Sequence, residues 1–244
     1  MAKIKVGMEF NTNKCGVVRV VEYVSCSNVI VEFLNTGNVL KTRADKLKSG
    51  NLKDKLAPTV YGVGYIGEGL PKGFSKSRTY KIWNSMLQRC YDSAFLANRP
   101  TYCGCTVSEN FKSFQYFSNW CENQVGFNSK GFQLDKDILS GDVKHYSEDT
   151  CVFIPAAINS FVREKPKNGL GATGVYQNNG SSSFYVRVGF GGAEKTLKFF
   201  KSERLAKEYY ESQKMEYAKK LVDTWSGLVD TRVIKFLSDM GGLK

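Results

Sequence analysis

The chain has 244 residues and a hydrophobic content of 42%, enough to fill one large core or two to three small ones. It carries 35 Lys and Arg against 23 Asp and Glu, and the net charge of +12 favours polyanionic partners. No apolar run approaches the roughly 20 residues of a membrane-spanning helix, and the first residues lack the apolar stretch of a secretory signal. We therefore expect a cytoplasmic protein with no membrane partner, whose seven cysteines are buried thiols rather than disulfides.

The basic excess lies at the two ends of the chain. Residues 1–56 have a net charge of +5, residues 57–162 of +1 and residues 163–244 of +6. Because each cation set against a phosphate releases counterions, this distribution favours nucleic-acid-binding modules at both ends. The same charges also fit an ordinary solvated surface with surplus lysine, since net charge reports on partners and not on fold.

The first 56 residues contain short β-branched runs separated by turn residues. The runs at 15–23, 29–34 and 39–42 predict a meander of short strands, and we expect residues 1–56 to form a small β-barrel of the Src-homology-three kind, either closed or half-closed. Such barrels also bind proteins, so a protein partner of this module is left open. Residues 57–77 are rich in glycine and predict a linker.

The middle of the chain predicts helices followed by a hairpin. Apolar residues recur at helical spacing in 79–91 and in 110–124, where an aromatic stripe indicates core packing rather than base stacking. Residues 132–139 alternate like a strand, 150–155 form an extended apolar return, and 156–162 begin a helix. The order is therefore strand, loop, strand, helix.

After a second predicted linker at 163–171, residues 172–244 predict a sheet covered by a helix. Short strands are expected at 173–177, 183–190 and 195–200, joined by glycine-containing turns. A helix should run from Ser202, as its N-cap, to about Trp225. The fold class is therefore α+β: a small N-terminal β-barrel, a central hairpin domain with helices at 78–162, and a C-terminal three-stranded sheet plus helix.

Two parts of the chain resemble known families. Residues 78–162 resemble the HNH homing endonucleases of bacteriophages in the order and spacing of these segments: 80–91, 102–107, 111–120, Leu134-Asp135-Lys136-Asp137, 146–151 and Asn159. Residues 170–225, with Gly174-Val175-Tyr176 and Tyr185-Val186-Arg187-Val188, resemble the APETALA-type DNA-binding domain that such nucleases often append. The first resemblance implies a ββα-metal domain, and the two together imply double-stranded DNA as the partner.

The nuclease resemblance implies a catalytic site with a divalent metal, Mg or Mn. Asp135 matches the carboxylate that binds the metal, and Asn159 matches the helix residue that completes the site. Two positions depart from the family. Lys136 stands where the intact motif has a His general base, and an ammonium is a poor base at neutral pH. Thr150 stands where an Asn commonly precedes the cysteine.

Other residues near the hairpin extend the candidate site. His145, the only histidine, could activate a water, although a solvated loop histidine would have the same spacing. Strand alternation would place Asp135 and Asp137 on one face, which suits a cation, although two surface acids on an edge strand fit equally. Cys103 and Cys105 are separated by one residue, and this spacing does not suit a structural zinc site.

The C-terminal sheet supplies the predicted DNA contacts. Alternation along its second strand places Tyr185 and Arg187 on the exposed face, with Arg187 as the principal contact to a base or phosphate. The remaining predicted contacts are Gln177, Asn178, Lys195 and Lys198 around it and Lys136 in the hairpin. These residues could instead be ordinary outward side chains of a half-buried sheet.

Three functions follow from these observations. The first is an endonuclease or nickase that uses a divalent metal for phosphodiester hydrolysis. The alternative is a catalytically degenerate DNA-binding phage protein, such as a regulator or counter-defence factor, located in the host-cell cytoplasm. The third is a protein-binding adaptor. The departures at Lys136 and Thr150 leave enzymatic activity open, and the sequence does not determine the oligomeric state.

Overall fold

The computed structural model describes residues 3–162, 174–178, 181–190 and 196–242. The protein is of mixed α+β class, as predicted. The chain divides into two compact units, residues 1–120 and 121–244. This division falls inside the segment 78–162, and the predicted domain boundaries stay predictions. The predicted linker at 163–171 lies outside the described residues.

The described part of the chain contains strands and helices with the following bounds. The strands are β1 Glu9–Asn11, β2 Val17–Ser25, β3 Asn28–Phe33, β4 Val39–Thr42, β5 Thr106–Val107, β6 Phe132–Asp135, β7 His145–Tyr146, β8 Val152–Pro155, β9 Val175–Gln177, β10 Phe184–Val188 and β11 Thr196–Phe200. The helices are α1 Ala44–Lys48, α2 Arg78–Tyr91, α3 Ser93–Asn98, α4 Phe114–Glu122, α5 Asp137–Ser140, α6 Ala156–Val162, α7 Glu203–Trp225 and α8 Thr231–Gly241.

The N-terminal module is an open antiparallel sheet with the order β1-β2-β3-β4. Its alternating residues, such as Val29, Val31 and Phe33 on β3, form a buried core. The expected barrel is not closed, because closure requires the first and last strands to pair, and among the described residues β1 pairs with β2 alone. The sequence pattern also missed the three-residue β1 and the short α1.

The rest of the first unit is built around α2. Ser77 is its N-cap and accepts a hydrogen bond from the Tyr80 backbone N–H. Trp83 is fully buried, and its indole N–H donates to the Phe111 carbonyl at 2.7 Å. The predicted aromatic stripe lies in the core, since Phe111, Phe114 and Phe117 are buried. Trp83, Met86 and Leu87 lie on the buried face of α2.

The glycine-rich segment predicted as a linker is held against α2. A Cβ atom at Gly64 would lie 2.3 Å from Leu87 Cδ1 and 2.9 Å from Trp83 Cζ2, so only glycine allows this approach. Tyr65 donates its N–H to the Lys112 carbonyl and accepts from the Phe114 N–H. The segment therefore contributes to the packing of the first unit.

The second unit begins with the predicted order of strand, loop, strand and helix. Strand β6 pairs antiparallel with β8, with Asp135 opposite Val152, and α6 follows β8 directly. The first strand is shorter than expected, because β6 ends at Asp135 and the next residues turn into α5. Asp135 and Asp137 therefore do not share a strand face, and that expectation was wrong.

The C-terminal sheet has the order β11-β10-β9, with antiparallel pairs throughout. The helix α7 runs as predicted, and its N-cap Ser202 accepts a hydrogen bond from the Leu205 N–H. Ala206, Tyr210 and Leu221 lie on its buried face. Leu205 on the same helix is exposed.

One aromatic cluster joins the hairpin helix to the C-terminal sheet and helix. The Phe161 ring on α6 lies 5.4 Å from those of both Phe190 and Tyr217. At a second point, Phe132 on β6 contacts Trp225 at the end of α7 with a ring separation of 5.7 Å. The two parts of the second unit therefore share a core.

No helix in the described part of the chain is long and apolar enough to cross a membrane. Five of the seven cysteines are buried, whereas Cys26 and Cys103 are exposed, contrary to the expectation that all are buried.

Candidate functional site

The predicted metal ligand Asp135 ends β6 and is 4% exposed. Its carboxylate Oδ1 accepts a hydrogen bond from the Ile138 backbone N–H at 3.0 Å. This bond stabilises the first turn of α5, because backbone N–H groups at a helix start have no partner within the helix. Asp135 therefore shapes the turn that follows β6.

Lys136, a predicted DNA contact, is 5% exposed. Its ammonium forms an ion pair with the carboxylate of Asp137, whose side chain is 46% exposed. The same ammonium lies 5.5 Å from the centre of the buried Tyr146 ring. A buried ammonium is costly unless it is paired, and these two partners meet that requirement. This burial does not favour the predicted contact between Lys136 and DNA.

Asn159, the second predicted metal ligand, is 5% exposed on α6. Its amide nitrogen donates to Gln133 Oε1 at 3.1 Å. Gln133 and Asp135 lie two residues apart on β6, so the structure brings Asn159 to the strand that carries Asp135. This hydrogen bond connects α6 to β6.

His145 is half-buried on β7, and its loop is closed by Thr150. The Thr150 hydroxyl donates to the His145 carbonyl at 2.7 Å and accepts from the Ser147 N–H at 2.9 Å. In return, the Ser147 hydroxyl accepts from the Thr150 N–H at 3.3 Å. Thr150 thus has a structural role in this turn.

Burial raises the pKa of the neighbouring Cys151 thiol to about 12. The thiol therefore stays protonated at neutral pH, whereas a metal ligand must be a thiolate.

The residues present in the hairpin do not suit a divalent cation. Such an ion needs several accessible oxygen ligands. Asp135 and Asn159 are almost fully buried and form the hydrogen bonds described above. The ammonium of Lys136 next to Asp135 in the chain adds a positive charge that would repel a metal ion. Within the described ranges, no group of three or more His, Cys, Asp or Glu side chains is arranged to hold one.

The predicted DNA contacts Tyr185 and Arg187 lie on the outer face of the C-terminal sheet. Val186 and Val188, which alternate with them on β10, are buried on the α7 side. Arg187 is exposed and Tyr185 half-buried. The structure therefore places both residues on the face that the strand alternation predicted.

The other predicted contacts are distributed differently. Lys198 pairs with Val186 and so lies on the helix side, where its ammonium is 4.4 Å from the centre of the Tyr209 ring. It does not flank Arg187, because the register of β11 places it on the opposite face. Gln177 ends β9 opposite Phe184, on the face away from Arg187, and Asn178 follows it; both are exposed. Lys195 lies outside the described residues.

The sequence reasoning missed three residues on the outer face. Tyr176 and Phe199 are the direct cross-strand neighbours of Tyr185, and Leu197 is the neighbour of Arg187. The Tyr176 and Tyr185 rings stack at 5.0 Å with an interplanar angle of 11°, and the Phe199 ring is 6.0 Å from Tyr185. Alternation within each strand was visible in the sequence, but the register that aligns the three strands was not.

Comparison with family models, with curated proteins and with solved structures found no match to this chain.

Proposed function

We propose that this chain is a DNA-binding protein without catalytic activity, which uses a ββα hairpin as a structural support. The observation that carries the proposal is the outer face of the C-terminal sheet, where Arg187 is exposed beside aromatic rings. Guanidinium groups bind phosphates and base edges well, because their fork of donors matches both.

The charges of the second unit favour the sheet over its helix as the binding surface. Cations of α7 are matched by acids one turn away, as in the ion pairs Glu203–Lys207, Arg204–Glu208 and Glu216–Lys220. The strands β9, β10 and β11 contain no Asp or Glu. On the outer face, the guanidinium of Arg187 therefore has no acidic neighbour within these strands, and a phosphate can pair with it.

The hairpin supports this function through its packing. Asp135, Lys136 and Asn159 are buried and have intramolecular partners, as a structural role requires. Through Phe161, the hairpin helix contributes to the core beneath the C-terminal sheet.

A metal-dependent endonuclease is the second candidate, favoured by the order of β6, β8 and α6 and by the contact of Asn159 with β6. This candidate requires that Asp135 and Asn159 become accessible to a metal and to a phosphate. The cytoplasmic location and a phage-like setting are part of both proposals.

A salt titration of DNA binding tests the proposed function. Purified protein should retard a labelled duplex, and the logarithm of the binding constant should fall linearly with log salt, with a slope of about −0.9 per neutralised phosphate. Failure to retard duplex or single-stranded DNA, even in dilute buffer, would contradict the proposal and favour a protein-binding adaptor.

A plasmid-nicking assay decides between the two candidates. We expect supercoiled plasmid to remain intact with Mg²⁺ or Mn²⁺, under conditions where the protein binds it. Nicking that requires metal and is lost in both Asp135→Ala and Asp135→Asn would establish the nuclease. The Asn variant keeps an acceptor for Ile138 and so separates chemistry from folding.

A further inference from the structure

The outer face of the C-terminal sheet carries a row of aromatic rings across all three strands. Tyr176 on β9, Tyr185 on β10 and Phe199 on β11 are directly opposite one another in the sheet register. Arg187 and Leu197 form the next row on the same face. We name the face formed by these five residues the aromatic platform.

The platform offers apolar surface beside a cation. Phe199 is 60% exposed, and Leu197 is also exposed. The Tyr176 and Tyr185 rings stack on each other, so each ring covers one face of the other. The Phe199 ring is tilted 48° from that of Tyr185, which leaves it as the ring best placed to accept a further flat group.

This composition is poorly suited to the bases of an intact duplex. Readout in a groove depends on hydrogen bonds to base edges, and apart from Arg187 and the tyrosine hydroxyls the platform offers apolar atoms. An aromatic ring stacks on the flat face of a base, which is accessible only when the base is unpaired. Exposed rings next to a guanidinium are the arrangement that single strands require.

We propose that the aromatic platform binds single-stranded nucleic acid, with a base stacked on Phe199 and a backbone phosphate held by Arg187. The absence of Asp and Glu from the three strands makes their charge complementary to this ligand. The inference rests on the proposed nucleic-acid-binding function and specifies its ligand as unpaired bases.

Three labelled probes of equal phosphate number test this proposal by fluorescence anisotropy. They are a 20-nucleotide oligo-dT, an abasic 20-mer with the same backbone, and a hairpin duplex. We expect the oligo-dT to bind at least several-fold more tightly than either of the other two. Equal affinity for the abasic strand and oligo-dT would overturn stacking, and preference for the duplex would overturn the choice of ligand.

Variants locate the site. Phe199→Ala should weaken oligo-dT binding about tenfold, since stacking of one base on one ring typically contributes a factor of about five to a hundred. It should leave abasic binding unchanged, and Phe199→Trp should retain the affinity. The control is Leu205→Ala, which removes an exposed apolar side chain from α7 and should change nothing.

Thermal unfolding of each variant should match that of the wild type, because Phe199 is largely exposed. Unchanged oligo-dT affinity in a folded Phe199→Ala variant would overturn the proposal, and an equal loss for all probes would mean that the ring does not stack. A complete lack of binding to all three probes at low salt would instead contradict the proposed function itself. A labelled oligo-rU measured in the same way shows whether the single strand is RNA or DNA. Tight binding of either strand supports the proposal that the aromatic platform binds unpaired bases.

Discussion

Three polar residues of the hairpin are buried, whereas Arg187 on the C-terminal sheet of the same unit is exposed. In the hairpin, Asp135, Lys136 and Asn159 are almost fully buried and bonded within the protein. On the sheet, Arg187 is exposed, and the next row of residues on the same face is aromatic. Burial with partners is what a structural role requires, whereas an exposed cation beside apolar surface is available to a ligand.

The two regions therefore differ in how well they fit the function predicted from the sequence. The hairpin has the order of elements that resembles a nuclease, but its charged groups are engaged in folding. The sheet lies where the sequence predicted a DNA-binding face and keeps its outer surface accessible. Substitutions in the two regions should therefore differ in whether they change stability or ligand affinity.

The largest effect is expected where the two regions meet. Phe161→Ala should lower the free energy of unfolding by about 3–5 kcal/mol, because it leaves a cavity against Phe190 and Tyr217. Chemical denaturation followed by circular dichroism measures this loss. The adjacent exposed Ser160→Ala is the control and should be nearly neutral. A small loss at Phe161 would mean that the hairpin and the sheet do not share a core.

Removing the buried carboxylate should be the next most damaging change. Asp135→Ala should cost about 2 kcal/mol of stability, since the hydrogen bond from Ile138 to a charged acceptor is lost. The same denaturation experiment applies, with the exposed Asp142→Ala as a control expected to stay within about 0.5 kcal/mol. A stable Asp135→Ala protein would indicate that the carboxylate is kept for chemistry instead.

The buried thiol of Cys151 predicts a loss of stability at alkaline pH. Burial raises the pKa of this thiol from 9.0 to about 12 in the folded state. Below pH 9 both states keep the proton, so the stability contribution is fully present. Above pH 9 the unfolded chain releases the proton first, so stability falls, by at most about 1.4 kcal/mol per pH unit.

Comparison of the wild type with Cys151→Ala from pH 8 to 11 isolates this effect, because the other titrating groups are common to both proteins. The variant should show the shallower decline. Identical slopes would contradict the buried, protonated state of the thiol.

The smallest effect on stability is expected on the sheet, where ligand affinity should change instead. Arg187→Ala should alter stability by less than about 0.5 kcal/mol and reduce the salt slope of DNA binding by about one. Lys198→Ala removes the same charge from the other face, where it contacts Tyr209, and should leave the salt slope unchanged. Equal effects of the two variants on the slope would show that total charge, rather than the outer face, determines binding.

Much of the fold was predictable because it depends on local patterns. The N-cap at Ser202, the start of α2 and the order of β6, β8 and α6 follow from spacing and capping residues. The end of β6 was not predictable, since Ile138 and Leu139 extend the apolar residues of the segment past Asp135. What ends the strand is the hydrogen bond from Ile138 to Asp135, which converts the next residues into a helical turn.

The candidate site was predictable only within single strands. Alternation placed Tyr185 and Arg187 on the outer face, as the structure has them. The positions of Lys198, Tyr176 and Phe199 depend on the pairing of neighbouring strands, and a shift of one residue moves a whole strand's side chains to the other face. The burial of Lys136 likewise depends on Tyr146, which is distant in sequence.

Photo-cross-linking to bromodeoxyuridine-substituted DNA, with the attachment sites mapped by mass spectrometry, shows whether DNA contacts the outer face of the C-terminal sheet. Cross-links should concentrate on the peptides that carry Tyr185 and Phe199. Cross-links confined to the hairpin around Asp135, or to the N-terminal sheet, would contradict the account.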